Sequence, residues 1–340
     1  MHHVPDRVKL DPMSSHSHRR EAVFVVGSGR SGTSTIAGIL RRLGCHVPTP
    51  EVGADETNPR GFNEPQWMVD LHDAVLRRAG VAVADPRPGA ATDVEHAAAN
   101  AGTAAAAAAW LDEHFRVADQ LVLKDPRLVW FLTPWRRAAG TAGARASFAT
   151  MLRPPPEVVR SKSTYYGPQR DADGIAMWVN GMLHTELATR GAPRAFVRYD
   201  ELLSNWRDPV GQAAGTLGIR RALRHDAEAT AAVDAFVDPD LRRVSVTWDD
   251  LSIPPYLRDV AERTWDHLST LATPDGDTPA TYPAADTLRA DFALAFEQLD
   301  TASAYRRARK LLPRRALGVI PPQLRSRLGR VARRVIADRV

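Results

Sequence analysis

Eight residues, Gly27-Ser28-Gly29-Arg30-Ser31-Gly32-Thr33-Ser34, carry the clearest chemistry in this chain. Glycines at that density let successive backbone N–H groups turn inward, and a helix starting behind them adds its partial positive charge, so such a loop holds an anion mainly with main chain. The spacing is G-x-x-x-x-G followed by two hydroxyl residues. A loop that grips the β- and γ-phosphates of ATP or GTP places a lysine directly after the second glycine. Here that position is Thr33, and the cation lies inside the loop as Arg30. The same residues can also make nothing more than a tight connection, and the flanking elements decide between the two readings.

A second group of residues suits an anion. Arg153 is followed by Pro154-Pro155-Pro156, which forces an extended lead into a helix whose first turn tolerates proline, and Ser161 comes eight residues after Arg153. A guanidinium with paired donors and a nearby hydroxyl can share one phosphate. Equally, Arg153 can brace a sheet rim while Ser161 is an ordinary helix residue.

Both groups need a scaffold. Residues 22–26 (AVFVV) form a short continuous apolar run ended by glycines, as in a strand buried on both faces of a parallel sheet. Ile36, Ile39, Leu40 and Leu43 recur at helical spacing, so a helix is expected over 33–43 and the glycines fall between strand and helix. Three more buried strands are read at 121–123, 147–152 and 195–197, each ending in polar residues: Lys124-Asp125-Pro126-Arg127, Arg153, and Arg198-Tyr199-Asp200. Helices are expected at 66–78, 97–115, 156–166, 175–189 and 210–217. Alternating strands and helices predict an α/β fold of P-loop type, an open parallel sheet flanked by helices. Ligands of such sheets bind beyond the carboxyl ends of the strands, where the charged termini should converge. The alanine-rich stretch at 97–109 reads as a surface or lid helix without chemistry, and 274–283, rich in Pro, Gly, Asp and Thr, reads as a linker.

Composition narrows the function. The 340 residues carry +5, but from Tyr305 to Val340 there are twelve Lys or Arg and one acid, Asp338, so the rest of the chain carries −6. The basic balance belongs to the C-terminal segment and argues against nucleic acid as the partner of the body. The single Cys45 excludes an internal disulfide and a cysteine-rich metal site, and it reads as a small buried hydrophobe. The first 20 residues are polar and His-rich without an apolar signal core, and no stretch reaches the roughly 20 apolar residues of a membrane span. A cytoplasmic protein is expected: a disordered leader at 1–20, a catalytic body at 21–300, and a basic tail at 301–340. In the tail Leu324, Leu328, Val331 and Val335 repeat at helical spacing among arginines. Such a helix can lie on an anionic membrane surface, at the inner face of the membrane, or pack on the body, or stay mobile.

Taken together, the two anion sites resemble the sulfotransferase family that uses 3'-phosphoadenosine 5'-phosphosulfate (PAPS). The loop 27–34 is similar to the family's 5'-phosphosulfate loop, and Arg153 with Ser161 to its 3'-phosphate site. Lys124-Asp125-Pro126 and Tyr199-Asp200-Glu201-Leu202-Leu203 look like the tyrosylprotein and bacterial branches, and Asn58-Pro59-Arg60-Gly61-Phe62-Asn63-Glu64 resembles an N-P-x-G-x-x-E element of many bacterial members. The resemblance runs from about residue 23 to 217. It implies a donor held by Gly29, Arg30, Ser31, Gly32, Thr33, Ser34, Arg153 and Ser161, with Arg30 and Lys124 on the transferring group and leaving phosphate, and no metal. In the cytosolic branch a histidine base stands two residues after the strand-end lysine; here that position is Pro126. The resemblance therefore points to Glu64 as the base, with Glu51 second because its spacing from Arg30 matches the tyrosylprotein branch, and His46 and Asp55 behind them. Arg127 either braces the rim or meets the acceptor, and Arg242 and Arg243 either close over the nucleotide or are solvated charge. The acceptor is left open as a small molecule, glycan or lipid. Two other functions fit the loop: a P-loop kinase of a small metabolite, against which Thr33 argues, and an inactive nucleotide-binding scaffold.

Overall fold

The computed structural model of the chain describes residues 20–238 and 244–311, of which 305–311 are helix backbone only. The leader up to residue 19, Arg242, Arg243 and the helical repeat at 324–335 lie outside the described residues.

Four strands form one sheet: β1 (Glu21–Val26), β2 (Gln120–Lys124), β3 (Arg145–Leu152) and β4 (Arg194–Arg198). Their order is β2-β1-β3-β4 and every pairing is parallel. The α/β expectation holds, and each strand lies within two residues of its predicted limits. The apolar runs mark them because both faces are covered. Ala22, Phe24 and Val26 pack on one side against α2 (Gln66–Ala79), α3 (Ala90–Asn100), α4 (Thr103–His114) and α5 (Leu132–Thr141). Val23 and Val25 pack on the other against α1 (Thr33–Arg42), α8 (Tyr199–Ser204), α9 (Arg207–Leu217), α10 (Arg220–Leu223) and α11 (Ala227–Phe236). A third apolar cluster joins the β3 and β4 ends to α6 (Pro155–Tyr166), α7 (Asp171–Thr189), α12 (Pro255–Leu271) and α13 (Tyr282–Leu311).

This strand order sets the place of the site. The chain leaves β1 toward β2 on one side and leaves β3 toward β4 on the other, so the connections diverge between β1 and β3. That divergence opens a crevice at the carboxyl ends of the two strands. The segments emerging there are Gly27-to-Gly32 and Arg153.

Three expectations change. The helix read over 97–115 is two helices, because the chain turns at Ala101 and Gly102, where Gly102 is left-handed (φ 64) and its carbonyl starts α4. Nor is α4 a bare surface helix: Ala107, Ala108 and Leu111 lie in the core, and Trp110 stacks on Trp67 with ring centroids 5.0 Å apart. Alanine propensity favours helix throughout the stretch but cannot say where packing bends it. The expected linker is tied to the sheet, since Asp277 receives both Arg194 Nε (2.7 Å) and Nη2 (2.6 Å), and α13 then runs without a break past residue 300. No helix among the described residues is long and apolar enough to cross a membrane.

Candidate active site

The loop after β1 has the geometry its glycines allow. Gly27 (φ 141), Arg30 (φ 72) and Gly32 (φ 94) have positive φ, which bends the backbone back on itself at the start of α1. Gly32 is the N-cap, so α1 has no side-chain cap for its first amides. A β-carbon at Gly32 would also collide with the ring of Tyr199, the first residue of α8. The Ser31 hydroxyl is buried and, among the described residues, has no hydrogen-bond partner. These are donors without acceptors gathered at one helix start, the arrangement an anion completes.

Cations stand around that loop. The Arg30 guanidinium reaches Ser161 Oγ (3.2 Å) and the Thr57 carbonyl (3.3 Å) and lies over the Tyr165 ring, 4.0 Å from its centroid. From α6, Lys162 Nζ donates to Ser28 Oγ (3.1 Å), and burial pushes its ammonium down to about 8. Among the described residues no carboxylate forms a direct ion pair with Arg30 or Lys162; the Asp55 carboxylate, itself held down chiefly by the Thr57 hydroxyl, acts on Arg30 only through a longer-range attraction. Arg153 is 5% exposed and differently placed: Nε meets Glu157 (2.9 Å), Nη1 holds the Arg30 carbonyl of the loop (3.0 Å) and Nη2 reaches the Val244 carbonyl (3.4 Å). It therefore fixes the loop while lining the same groove as Gly32, Ser161 and Tyr199.

The same groove is lined by a buried ion pair. Lys124, last in β2, donates to Glu64 and to Ser34 Oγ (3.1 Å), and the two charged residues are 2% and 5% exposed. Burial pushes the Glu64 carboxyl up, and the adjacent Lys124 ammonium only partly offsets it. Glu64 is delivered by an ordered loop. Asp55 accepts from Thr57 N (2.8 Å) and Asn58 N (3.1 Å), Asn58 Nδ2 closes on the Gly61 carbonyl (2.7 Å), and Asn63 Nδ2 reaches the Ser34 carbonyl (3.3 Å) at the start of α1.

Behind the pair lies a network absent from the sequence reading. Trp135 Nε1 donates to His72 Nε2 (2.7 Å), which leaves the His72 proton on Nδ1, facing Asp125 Oδ2 (2.6 Å). Burial alone would raise the Asp125 carboxyl; the His72 hydrogen bond and the Arg127 guanidinium overrule it and hold it at about 2. Asp125 also accepts from the Arg127 amide (3.0 Å) and from Arg127 Nη1 (2.9 Å), while Arg127 Nε donates to Asp73. Asp125 and Arg127 thus brace the turn that carries Pro126 along the rim.

The structure sorts the expected residues. Gly29, Arg30, Gly32, Thr33, Ser34, Glu64, Lys124, Arg153 and Ser161 line one groove, and Ser31 lies buried beneath it. Two placements differ from the expectation. Glu51 does not line the groove, and its carboxylate is taken by the Arg41 guanidinium (2.8 and 3.0 Å). Arg30 was expected, with Lys124, on the transferring group and leaving phosphate, and its side chain here contacts Ser161 and Tyr165. Its left-handed backbone redirects the side chain, which loop spacing could not reveal. Cys45 is buried, as expected, with its thiol pushed up to about 12 by burial. His46 bridges to β2 beside His114 and does not line the groove. Lys162, next to Ser161, was missed; its position one residue on from a proposed phosphate ligand was the signal available.

Comparisons with known proteins add little beyond the fold. No family model matches the chain, and no curated protein does. Among solved structures it is similar to the sulfotransferase domain of the Synechococcus PCC 7002 olefin synthase, at 17% identity over 80% of this chain and 96% of that one, with a TM-score of 0.39. It is also similar to the sulfotransferase domain from the curacin biosynthetic pathway, at 15% identity over 79% of this chain and 97% of that one, with a TM-score of 0.38.

Proposed function

We propose that the chain is a sulfotransferase that moves a sulfuryl group from PAPS to a hydroxyl or amine. The observation that carries this reading is one groove lined together by the uncapped loop, by Arg30, Arg153 and Ser161, and by the buried Lys124–Glu64 pair. That arrangement supports a ligand with anions at two points and a proton transfer at one end. When bound, PAPS supplies the sulfuryl group and a 5'-phosphate leaving group.

The residues then have distinct tasks. Loop amides and the Ser31 hydroxyl receive the phosphosulfate end. Ser161, Arg30 and Arg153 serve the 3'-phosphate, Arg30 exchanging its neutral partners for an anion. Glu64 takes the acceptor proton while the acceptor oxygen forms its bond to sulfur and the bond from sulfur to the 5'-phosphate oxygen breaks. Burial raises its carboxyl, which makes it a better proton acceptor than an ordinary exposed glutamate. Once Glu64 is protonated, Lys124 loses its ion-pair partner at the moment negative charge builds on the leaving phosphate, so one proton movement frees one cation.

Thermal stabilisation by adenosine 3',5'-bisphosphate, set against ATP, tests the reading. The bisphosphate is expected to stabilise strongly and ATP weakly, with Arg153→Ala weakening the bisphosphate about 10- to 100-fold, as for the loss of a charge-assisted pair. A preference for ATP, with turnover that stops in a magnesium chelator, would favour a kinase instead.

A further inference from the structure

A second cavity of ≈ 580 Å³ adjoins the groove, within the range of about 300–1,000 Å³ typical of sites for small organic ligands. The two share Gly29, Phe62, Glu64, Pro126 and Tyr166, so Glu64 stands at their junction. Its wall is apolar, built from Val83, Val129, Trp130, Met177, Trp178 and Met182. The indole nitrogen of Trp130 is already spent on the Val83 carbonyl (3.0 Å), so carbon is what the ring offers a ligand. Asn180 of α7 donates to the Asp85 (2.9 Å) and Arg87 (2.7 Å) carbonyls, tying the loop that carries Val83 to the helix that carries Met177 and Met182. The wall is therefore assembled without a ligand.

Polar side chains are confined to a few places. Ser28, Asp55, Glu64, Arg127 and Lys162 border the loop side, and Arg127 is occupied by Asp73 and Asp125. Gln169 also lines the cavity, but its Nε2 is buried without a hydrogen-bond partner among the described residues. A sugar would bring a hydroxyl on nearly every carbon against this wall and leave most of them unpaired.

Resting on the sulfuryl-transfer reading, we propose that the acceptor is an alcohol or phenol with an apolar body, which lies in this cavity and presents its hydroxyl to Glu64. The hydroxyl proton passes to Glu64, the hydroxyl oxygen bonds to sulfur, and the sulfur bond to the 5'-phosphate oxygen breaks.

Isothermal titration of the full chain with 4-butylphenol, 1-octanol, glucose and adenosine 3',5'-bisphosphate tests the class of ligand separately from the donor. The two apolar probes are expected to bind saturably at one site and glucose to give no heat at the same concentration. Gly181→Leu fills the cavity from α7 at a position where a β-carbon meets only Val129, at 3.6 Å, and it should weaken 4-butylphenol at least tenfold. Val83→Glu places a charge at a residue already 42% exposed, which spares folding, and should weaken the probe at least threefold. Both variants should leave bisphosphate affinity within twofold. Bisphosphate binding with no saturable phenol or octanol, with glucose binding as well as they do, or with both variants matching wild type, would overturn the acceptor class and leave the donor assignment intact. Apolar probes behaving as expected while the bisphosphate fails to bind would support the cavity's ligand class and sink the donor assignment.

Discussion

The groove around the loop and the cavity beside it share a rim but are built by different means. The groove centres on short segments at the strand ends, the loop after β1, Arg153 after β3 and Lys124 at the end of β2, joined by the 57–64 loop, α6 and Tyr199. Its binding groups are backbone amides and cations whose positions follow from strand order. The cavity is made of side chains from residues near 52, 83, 129 and 177–182, which only tertiary packing brings together. The groove is lined by cations and backbone amides and the cavity largely by apolar side chains, and Glu64, which borders both, is the residue where the two meet.

Glu64→Gln should therefore have the largest effect. The amide keeps a hydrogen bond to Lys124 but cannot take a proton, so kcat is expected to fall about 10²- to 10⁴-fold while bisphosphate affinity stays within threefold. In wild type the carboxyl must be ionised to act, so activity should rise with pH. The midpoint should lie above the ordinary glutamate range because burial raises this group, and the limb should disappear in the variant. Unchanged kcat in stopped-time assays would remove the base from the junction.

Gly32→Ala attacks the groove alone. The position is left-handed (φ 94) and a β-carbon there meets the Tyr199 ring. The backbone alone should cost about 1–3 kcal/mol, read by denaturant unfolding, and bisphosphate binding should fall with it. Gly29→Ala is the control, because its β-carbon would find nothing nearer than Lys162 Cε at 3.8 Å. A stability change of less than about 0.5 kcal/mol is expected there. Equal effects at the two glycines would mean that the loop conformation does not govern binding.

Much of the groove was legible before the structure because its determinants are local. The strands announce themselves as apolar runs since both sheet faces are buried, and the loop lies where strand gives way to helix. Where a side chain turns is not local. Arg30 was expected on the transferring group and leaving phosphate, and it turns to Ser161. Glu51 had the right spacing and is captured by Arg41, ten residues earlier in the last turn of α1. Lys162 sits in plain view beside Ser161, yet no pattern says which face of α6 meets Ser28. The cavity left no trace, because a valine or methionine bound for a ligand wall is indistinguishable in sequence from one bound for the core. The break at Gly102 was hidden by the alanines on either side.

Asp125→Asn tests the bracing behind the rim. The wild-type carboxyl is held at about 2, against roughly 3.9 for a free aspartate, which corresponds to stability on the order of 2 kcal/mol at neutral pH. Because the folded pKa lies below the unfolded one, that contribution is present above about pH 5 and is lost as pH falls toward 2. The variant should be less stable than wild type at pH 7, and the gap should narrow in acid. Bisphosphate affinity should change less than for Gly32→Ala, since Asp125 contacts His72 and Arg127 and not the loop. A gap that persists at low pH would mean that the hydrogen-bonded charge is not what Asp125 contributes.

The smallest effect is expected at Glu51, and it bears most directly on which carboxylate is the base. Glu51 pairs with Arg41 in a contact open to solvent, where the arginine side chain is 47% exposed. Exposed pairs of this kind contribute roughly 0–1 kcal/mol, because water screens the charges and ordering two side chains costs entropy. Glu51→Ala should therefore leave the unfolding midpoint nearly unchanged and kcat within twofold. Its carboxylate borders neither the groove nor the cavity, so reaching an acceptor hydroxyl there would require it to leave Arg41 and the loop 50–65 to rearrange. That loop is held by the Glu51–Pro65 bridge and by the Val52 amide on the Glu64 carbonyl (2.8 Å). Any such rearrangement would move Glu64 as well. A hundredfold loss of kcat in Glu51→Ala with Glu64→Gln still active would show that the loop does move, and would make Glu51 the base in place of Glu64.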